Sequence, residues 1–206
     1  MKLIGMLDSP YVRRTAISLR LLGLPFEHQP LSVFRTFAAF EKINPVVKAP
    51  TLICDNGEVL MDSGLIIQYA EALTRPRSLF PDDPEILQHD LHIIGLALAA
   101  TEKSVQLVYE RELRPPEKRH HPWVSRVTGQ LLAACRELEQ AFARSKPPVE
   151  SATIRQAGLT AAVGWHFAQQ MLPGVIPPEH YPALAAYSAA AEALPEFRAL
   201  PHTAAT

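Results

Sequence analysis

The sequence predicts an α/β domain followed by an all-α domain, and three observations support this fold class. Short apolar runs alternate with helical patterns up to about residue 73, and a β-hairpin signal lies within that part. After the proline-rich stretch 75–84, almost every segment has helical spacing. We therefore expect a first domain over residues 1–75, a linker over 76–84 and a helical domain over 85–206.

The first domain is predicted to begin with a strand and a helix. Residues 2–7 form a short apolar run that is typical of a buried strand. Ser9 and Pro10 then indicate a helix start, because a polar N-cap followed by proline suits the unpaired N–H groups of a first turn. The helix is expected to end at Gly23, and residues 25–31 to form a second strand.

A β-hairpin and a closing helix complete the predicted domain. The arms 51–54 and 58–61 flank Asp55-Asn56-Gly57, and Asn-Gly between apolar arms is among the strongest local hairpin signals. A helix is expected over 63–73. The order is then βαβ-α-ββα, which gives a mixed sheet with helices packed on it.

The second domain is expected to be built from long helices whose limits are set by prolines. These helices are predicted at 85–113, 123–144, 153–172 and 181–194, with a short piece after Pro195.

Composition excludes several classes of function. Lys and Arg number 20 against 21 Asp and Glu, so the net charge of −1 gives no general attraction for nucleic acid or an anionic membrane. The apolar stretches are shorter than the roughly 20 residues of a membrane span. The 2 cysteines form no C-x-x-C, and His89 and His92 lack a third ligand at metal spacing. We expect a cytoplasmic protein without a metal, a nucleic-acid partner or a membrane anchor.

Four motifs follow one another along the chain: Ser9-Pro10-Tyr11-Val12-Arg13, Asn44-Pro45-Val46-Val47-Lys48-Ala49-Pro50, Asp62-Ser63 and Thr153-Ile154-Arg155-Gln156. The fourth motif is expected to be a capping box that opens a helix. Together with the element order, the four motifs resemble the glutathione transferase superfamily over nearly the whole chain, in its cytosolic, bacterial, serine-type form. The resemblance implies that the first domain is thioredoxin-like and binds glutathione.

By this resemblance Ser9 is the catalytic residue. Only the thiolate form of a thiol is a good nucleophile, and a hydroxyl donor at a helix N-terminus favours it. A plain N-cap role would also explain Ser9, and Tyr11 is the competing candidate for contact with the glutathione sulfur. Arg13 is expected to be a structural residue that forms an ion pair.

The resemblance also assigns the glutathione-binding residues. Pro50 would follow a cis peptide bond, and the backbone of Ala49 would pair with the cysteinyl part of glutathione as an added strand does. Lys48 would either reach the glycyl carboxylate or be an ordinary surface lysine. Asp62 would accept from the γ-glutamyl ammonium, and Ser63 would donate to its carboxylate, although both could simply cap a helix.

The resemblance further implies a pocket between the domains for a small hydrophobic electrophile, and a homodimer. Residues of both domains are expected to line that pocket, although each could instead belong to a domain core. The candidates are Leu7, Tyr11, Phe34, Val105, Tyr109 and Trp165.

The expected function is a detoxifying glutathione transferase that conjugates glutathione, as co-substrate, to the electrophile. Three alternatives stay open. Two are enzymes of the same fold, a glutathione-dependent isomerase or a peroxidase. The third is a non-catalytic binding module. A maleylacetoacetate isomerase usually has Ser-Ser-Cys where this chain has Asp8-Ser9-Pro10, which disfavours that enzyme.

Overall fold

A four-stranded mixed sheet organises the N-terminal part of the chain. The computed structural model describes residues 1–145 and 147–202, which divide into two units. One unit comprises Met1–Leu79 together with 195–202, and the other is Phe80–Leu194.

The N-terminal unit has the predicted order βαβ-α-ββα. In the sheet the strand order is β2-β1-β3-β4, with β1 parallel to β2 and antiparallel to β3, and β3 antiparallel to β4. This mixed sheet with its helices is thioredoxin-like, as expected from the sequence. The elements are β1 (Lys2–Ile4), α1 (Pro10–Leu21), β2 (Glu27–Gln29), α2 (Phe37–Glu41), β3 (Thr51–Ile53), β4 (Val59–Met61) and α3 (Ser63–Thr74).

The first strand ends earlier than its apolar run predicts, because of Gly5. This glycine has φ +139°, and a Cβ there would stand 2.6 Å from Cγ2 of Val12 and 3.3 Å from Cβ of Ala49. Only glycine combines that backbone angle with such a close approach. The chain therefore leaves the sheet after Ile4 and passes close to α1 and to residue 49.

The hairpin forms where Asn-Gly predicted it. Gly57 has φ +86°, and its N–H donates to the carbonyl of Cys54 at 2.9 Å. The turn pairs Thr51 with Met61, so the chain enters α3 directly from the end of β4.

The C-terminal unit, Phe80–Leu194, is entirely helical apart from its connections. Helix α4 packs against α5 and α6, and α7 packs against α5 and α6. By length and hydropathy alone, α4 could span a membrane, and within the described residues it is the one helix that could. The helices are α4 (Pro84–Glu112), α5 (His121–Ser145), α6 (Gln156–Met171) and α7 (Pro182–Glu192), with 3₁₀ turns at Pro116–Lys118 and Pro178–His180.

The last short helix departs from the expected domain limits. Helix α8 (Pro195–Arg198) packs on α1 and belongs to the N-terminal unit, whereas the sequence suggested one helical domain to the C-terminus. Arg13 is 1% exposed, and its Nε donates to the carbonyl of Leu200 at 2.8 Å. Its guanidinium also lies 5.8 Å from the ring centroid of Phe197. These contacts tie residues 195–202 to α1.

Helix α6 begins three residues after the start of its predicted range 153–172, and its N-cap lies two residues after Thr153, the N-cap that a capping box requires. Its first residue is Gln156, and the N-cap position belongs to Arg155, which makes no side-chain cap. Arg155 instead forms a two-point ion pair with Asp90 of α4. The motif therefore contains, in Arg155, a residue of the contact between α4 and the start of α6.

Candidate functional site

Ser9 is the N-cap of α1, as its sequence context predicts. Its Oγ accepts from the backbone N–H of Val12 at 3.4 Å, and Pro10 occupies the first helical position. A serine hydroxyl that accepts in this way still has a proton to donate. The cap and a second hydrogen bond from the Ser9 hydroxyl to a ligand are therefore compatible.

The segment before β3 contains a cis peptide bond between Ala49 and Pro50. Thr51 Oγ1 donates to the carbonyl of Lys48 at 2.7 Å, and Asn44 Nδ2 donates to Thr51 Oγ1 at 2.8 Å. These bonds fix residues 48–51 beside the start of β3, where a Cβ on Gly5 would meet Ala49.

Asp62 is the N-cap of α3 and has the left-handed backbone angle φ +76°. One carboxylate oxygen, Oδ1, accepts from the backbone N–H of Gly64 at 2.9 Å. The other, Oδ2, lies 3.7 Å from Nζ of Lys48. The Asp62 side chain is about half exposed, so its carboxylate remains accessible to a cationic ligand group.

Ser63, the first residue of α3, contacts a buried arginine of α1. Nη1 of Arg14 donates to Ser63 Oγ at 3.0 Å, and both residues are 4% exposed. This contact links α1, whose N-cap is Ser9, to the N-terminus of α3. Both helix N-termini carry partial positive charge and unpaired N–H groups, which favour anions.

Two side chains near these helix starts have shifted pKa values. Burial lowers the pKa of Arg14 to about 10, with the nearby Asp62 charge opposing the shift, so the guanidinium stays charged at neutral pH. Burial raises the pKa of Asp8, which directly precedes Ser9, while the N–H of Ser9 and the charge of Arg35 oppose that shift. The electrostatics near α3 are thus dominated by one buried cation and one accessible carboxylate.

The arrangement matches known proteins in both sequence and fold. A sequence model of the Glutathione S-transferase N-terminal domain matches residues 3–78. A solved glutathione transferase family member from Pseudomonas fluorescens Pf-5, with bound glutathione, superposes with a TM-score of 0.85. It is 27% identical, and the alignment covers 98% of each chain. The chain is thus similar to glutathione transferases in sequence over residues 3–78 and in fold over nearly its whole length.

Curated members of the superfamily show more distant similarity. Glutathione S-transferase U4 of Arabidopsis thaliana is 29% identical over 83 residues, which are 40% of this chain and 37% of that protein. The matched segment of the chain thus spans well under half the length of this plant transferase. Maleylacetoacetate isomerase of Pseudomonas aeruginosa is 27% identical over 146 residues, covering 67% of this chain and 69% of the isomerase.

The transferase-type second pocket was predicted from residues that lie in both units. In the N-terminal unit, Leu7 is buried, Tyr11 is half-buried and Phe34 is 54% exposed. In the helical unit, Val105 is half-buried and Tyr109 is exposed, both on α4. These five assignments stay predictions.

Trp165, the sixth pocket candidate, is buried inside the helical unit on α6. Its ring centroid lies 5.6 Å from that of Tyr181, and it lines a small internal cavity together with Cys135. These surroundings are those of a core residue, and its pocket role also stays a prediction.

Metal ions such as zinc are held by several side chains of the types His, Cys, Asp and Glu. Across residues 1–145 and 147–202, no group of three His, Cys, Asp or Glu side chains is placed to hold a metal ion.

Two residues of the site were missed by the sequence analysis, Gly5 and Arg14. The close approach of Gly5 to Val12 and Ala49 depends on long-range packing, which no local pattern announces. Arg14 is one of two adjacent arginines. Only the three-dimensional structure shows that Arg13 donates to the carbonyl of Leu200, whereas Arg14 donates to Ser63.

Proposed function

We propose that the protein is a glutathione transferase that binds glutathione in its N-terminal unit and conjugates it to a hydrophobic electrophile. One observation carries the proposal. Each of the helices α1 and α3 starts at a serine whose oxygen accepts from a protein N–H group, at Ser9 and Ser63. Each hydroxyl proton is then available to an anionic ligand group, as a thiolate and a carboxylate require.

The γ-glutamyl end of glutathione would bind at Asp62 and Ser63. The half-exposed Asp62 carboxylate suits the α-ammonium group, and the Ser63 hydroxyl with the first N–H groups of α3 suits the α-carboxylate. Glutathione bound to the Pseudomonas fluorescens relative supports the choice of this ligand.

The cysteinyl part would pair with the backbone of Ala49, next to Pro50. Strand β3 begins only at Thr51, so the Ala49 amide and carbonyl lie outside the β1–β3 pairing. An extended ligand can use such groups as an added strand does. Lys48 would bind the glycyl carboxylate.

At the sulfur, Ser9 would donate its hydroxyl proton in a hydrogen bond that stabilises the thiolate. A free thiol has a pKa near ~8.5, and a donor at a helix N-terminus lowers it. The thiol proton passes to solvent water, and the sulfur electron pair forms a C–S bond with the electrophile. A leaving group then departs with its bonding electrons, or the adduct takes a proton from water. Tyr11 is the alternative donor.

The residues that would contact the electrophile remain those predicted from the sequence. The superfamily also supports a cytoplasmic homodimer with a role in detoxification, and no metal is required by this chemistry.

A glutathione-dependent isomerase is the second candidate, because Maleylacetoacetate isomerase of Pseudomonas aeruginosa matches two thirds of the chain. An isomerase would add the same thiolate to a conjugated double bond, which becomes a single bond and can rotate. Elimination then breaks the C–S bond, restores the double bond and releases glutathione unchanged. A peroxidase or a binding module without chemistry would use the same glutathione site.

Glutathione binding measured by calorimetry, with the thiolate followed by ultraviolet absorbance, tests the proposal. The comparison is between the wild type, Ser9→Ala and Asp62→Ala. We expect Asp62→Ala to weaken binding by about 1–3 kcal/mol, the usual size for a lost charge-assisted contact. We expect Ser9→Ala to retain most of the affinity and to lose the thiolate absorbance. Tyr11→Phe is the matched control for the sulfur donor.

The outcomes separate the candidates. Glutathione binding with consumption of a model electrophile supports the transferase. Turnover of a cis-dienone without consumption of glutathione favours the isomerase, and reduction of a hydroperoxide favours the peroxidase. Tight binding with none of these activities favours the binding module. Absence of glutathione binding by the wild type contradicts the three enzymes and leaves a module that binds other partners.

A further inference from the structure

Arg14 is a buried cation that no carboxylate among the described residues contacts directly, although the charge of Asp62 is near. It is 4% exposed, and its Nε atom has no hydrogen-bond acceptor among the described residues. Its Nη1 atom donates a hydrogen bond to Ser63 Oγ, and within the described chain no carboxylate forms an ion pair with Arg14. A buried arginine usually has its charge paired and its N–H groups satisfied, so this arrangement lacks an anion.

The neighbouring Arg13 shows what a structural arginine of this helix looks like. Arg13 is equally buried, and its Nε and Nη2 atoms donate to the carbonyls of Leu200 and Phe197, at 2.8 and 3.5 Å. Arg14 points instead to the first residue of α3, where the helix dipole already favours an anion.

The chemistry of the contact fixes the direction of the Ser63 hydroxyl. A guanidinium is only a donor, so Ser63 Oγ must be the acceptor of the 3.0 Å bond. The serine proton is then directed away from Arg14, and within the described chain no residue accepts it. The adjacent positive charge makes that O–H a stronger donor.

We propose that Arg14 is a positioning residue for the glutamyl α-carboxylate of glutathione, acting by orienting and polarising Ser63 and by supplying buried positive charge beneath the N-terminus of α3. This inference rests on the proposed function, since it assumes glutathione at Asp62 and Ser63. It predicts that the site discriminates a charged carboxylate from a neutral group of the same size.

The test compares two ligands and matched variants. The ligands are glutathione and its analogue in which the glutamyl α-carboxylate is a primary amide. The variants are Arg14→Met, Arg14→Lys, Ser63→Ala, Arg14→Met/Ser63→Ala, and Arg20→Met as a control. Arg20 is an exposed arginine on the same helix. Affinities are measured by calorimetry and folding by circular dichroism and thermal midpoint.

We expect Arg14→Met to weaken glutathione binding about tenfold or more, as the loss of a charge-assisted contact does. The amide analogue should lose less than about threefold, because it carries no charge for Arg14 to stabilise. Arg14→Lys should lie between the wild type and Arg14→Met, and Arg20→Met should bind like the wild type. In the Ser63→Ala background, removal of Arg14 should have a smaller effect, because the two residues act together.

Other outcomes overturn the inference. If the wild type binds glutathione and Arg14→Met binds both ligands equally weakened or unchanged, Arg14 has no positioning role. If Arg14→Met does not fold, equal losses for the two ligands in Arg14→Lys lead to the same conclusion. If the wild type does not bind glutathione at all, the proposed function fails, and this inference fails with it.

Discussion

The guanidinium of Arg155 donates to both carboxylate oxygens of Asp90. Its Nε lies 2.6 Å from Oδ2 and its Nη2 lies 3.1 Å from Oδ1. Asp90 is 1% exposed, whereas the Arg155 side chain is 31% exposed. The pair joins α4 to the start of α6, two helices that pack closely in the C-terminal unit. A guanidinium that donates to both oxygens of a carboxylate fixes the orientation of the two groups as well as pairing their charges.

Removing the arginine should destabilise the protein markedly. Arg155→Met leaves the buried carboxylate of Asp90 without its cation, and breaking one side of a buried pair costs about 3 kcal/mol or more. Urea unfolding of the purified variant measures the loss. Arg126→Met on the exposed surface of α5 is the control, expected within about 0.5 kcal/mol of the wild type. Equal stability of the two variants would show that the pair contributes nothing.

The same region shows where sequence patterns stop being informative. Thr-x-x-Gln at residues 153–156 predicted a capping box, which is a local motif, and it located the helix start to within three residues. The partner of Arg155 is 65 positions away, and no local pattern specifies it. By contrast, the Asn-Gly hairpin and the Ser9-Pro10 helix start were predicted correctly, because turn and cap chemistry involve only neighbouring residues.

A glycine in α6 makes possible a close helix contact. A Cβ on Gly158 would overlap the hydroxyl of Tyr187 and would stand 2.7 Å from its Cζ. Tyr187 is held in place, because its hydroxyl donates to the carbonyl of Pro148 at 2.9 Å and its ring packs edge-on against Phe142. We expect Gly158→Ala to lower the free energy of unfolding by about 1–3 kcal/mol through overpacking.

Gly129 provides the matched control for this substitution. It lies within α5, is exposed, and a Cβ there would meet no atom within 4 Å. Gly129→Ala should stabilise the protein by about 0.5–1 kcal/mol, because alanine is the better helix former. Thermal or urea unfolding of both variants gives the comparison. A loss of stability from both substitutions would contradict the packing argument.

The buried thiol of Cys135 should make stability depend on pH in alkaline solution. Burial raises its pKa from 9.0 to about 12. The neutral thiol therefore contributes stability fully below about pH 9, and this contribution is lost as the pH rises toward about 12. The slope is about 1.4 kcal/mol per pH unit for one group. Between about pH 8 and pH 10.5, Cys135→Ala should lose about 2 kcal/mol less than the wild type.

Urea unfolding at the two pH values measures this difference. Any cost of the enlarged cavity in Cys135→Ala is the same at both, so it cancels. Tyr187, whose pKa burial also raises, is present in both proteins and cancels as well. Burial also raises the pKa of Tyr181, and the nearby Cys135 charge raises it further, so the part of the Tyr181 shift that comes from Cys135 does not cancel. Parallel pH dependence in the two proteins would mean that Cys135 does not titrate differently on unfolding.

The candidate site divides in the same way between local and long-range information. Ser9, Asp62 and Ser63 were found because a cap and a helix start are visible in the sequence, and their ligand roles came from the family resemblance. Arg14 was missed, because its burial and its contact with Ser63 depend on how α1 packs on α3. Nothing in the adjacent pair Arg13-Arg14 reveals which arginine reaches which partner.

The sequence left two roles open for Lys48, binding of the glycyl carboxylate or an ordinary surface position. Its Nζ lies 3.7 Å from Asp62 Oδ2, and both side chains are about half exposed, so the pair contributes little to stability, about 0–1 kcal/mol. If Lys48 binds the glycyl carboxylate, as we propose, Lys48→Gln should weaken glutathione binding by about 1 kcal/mol. The glycyl ethyl ester of glutathione, which lacks that charge, should bind the wild type and Lys48→Gln equally.

Calorimetry with both ligands measures these affinities, and Lys42→Gln, at an exposed lysine after α2, is the control. The opposite result has an equally clear meaning. If Lys48 only neutralises Asp62, its removal frees that carboxylate for the glutamyl ammonium, and Lys48→Gln binds both ligands more tightly. Tighter binding would therefore remove Lys48 from the glutathione site and leave the glycyl carboxylate without a charged partner at this position.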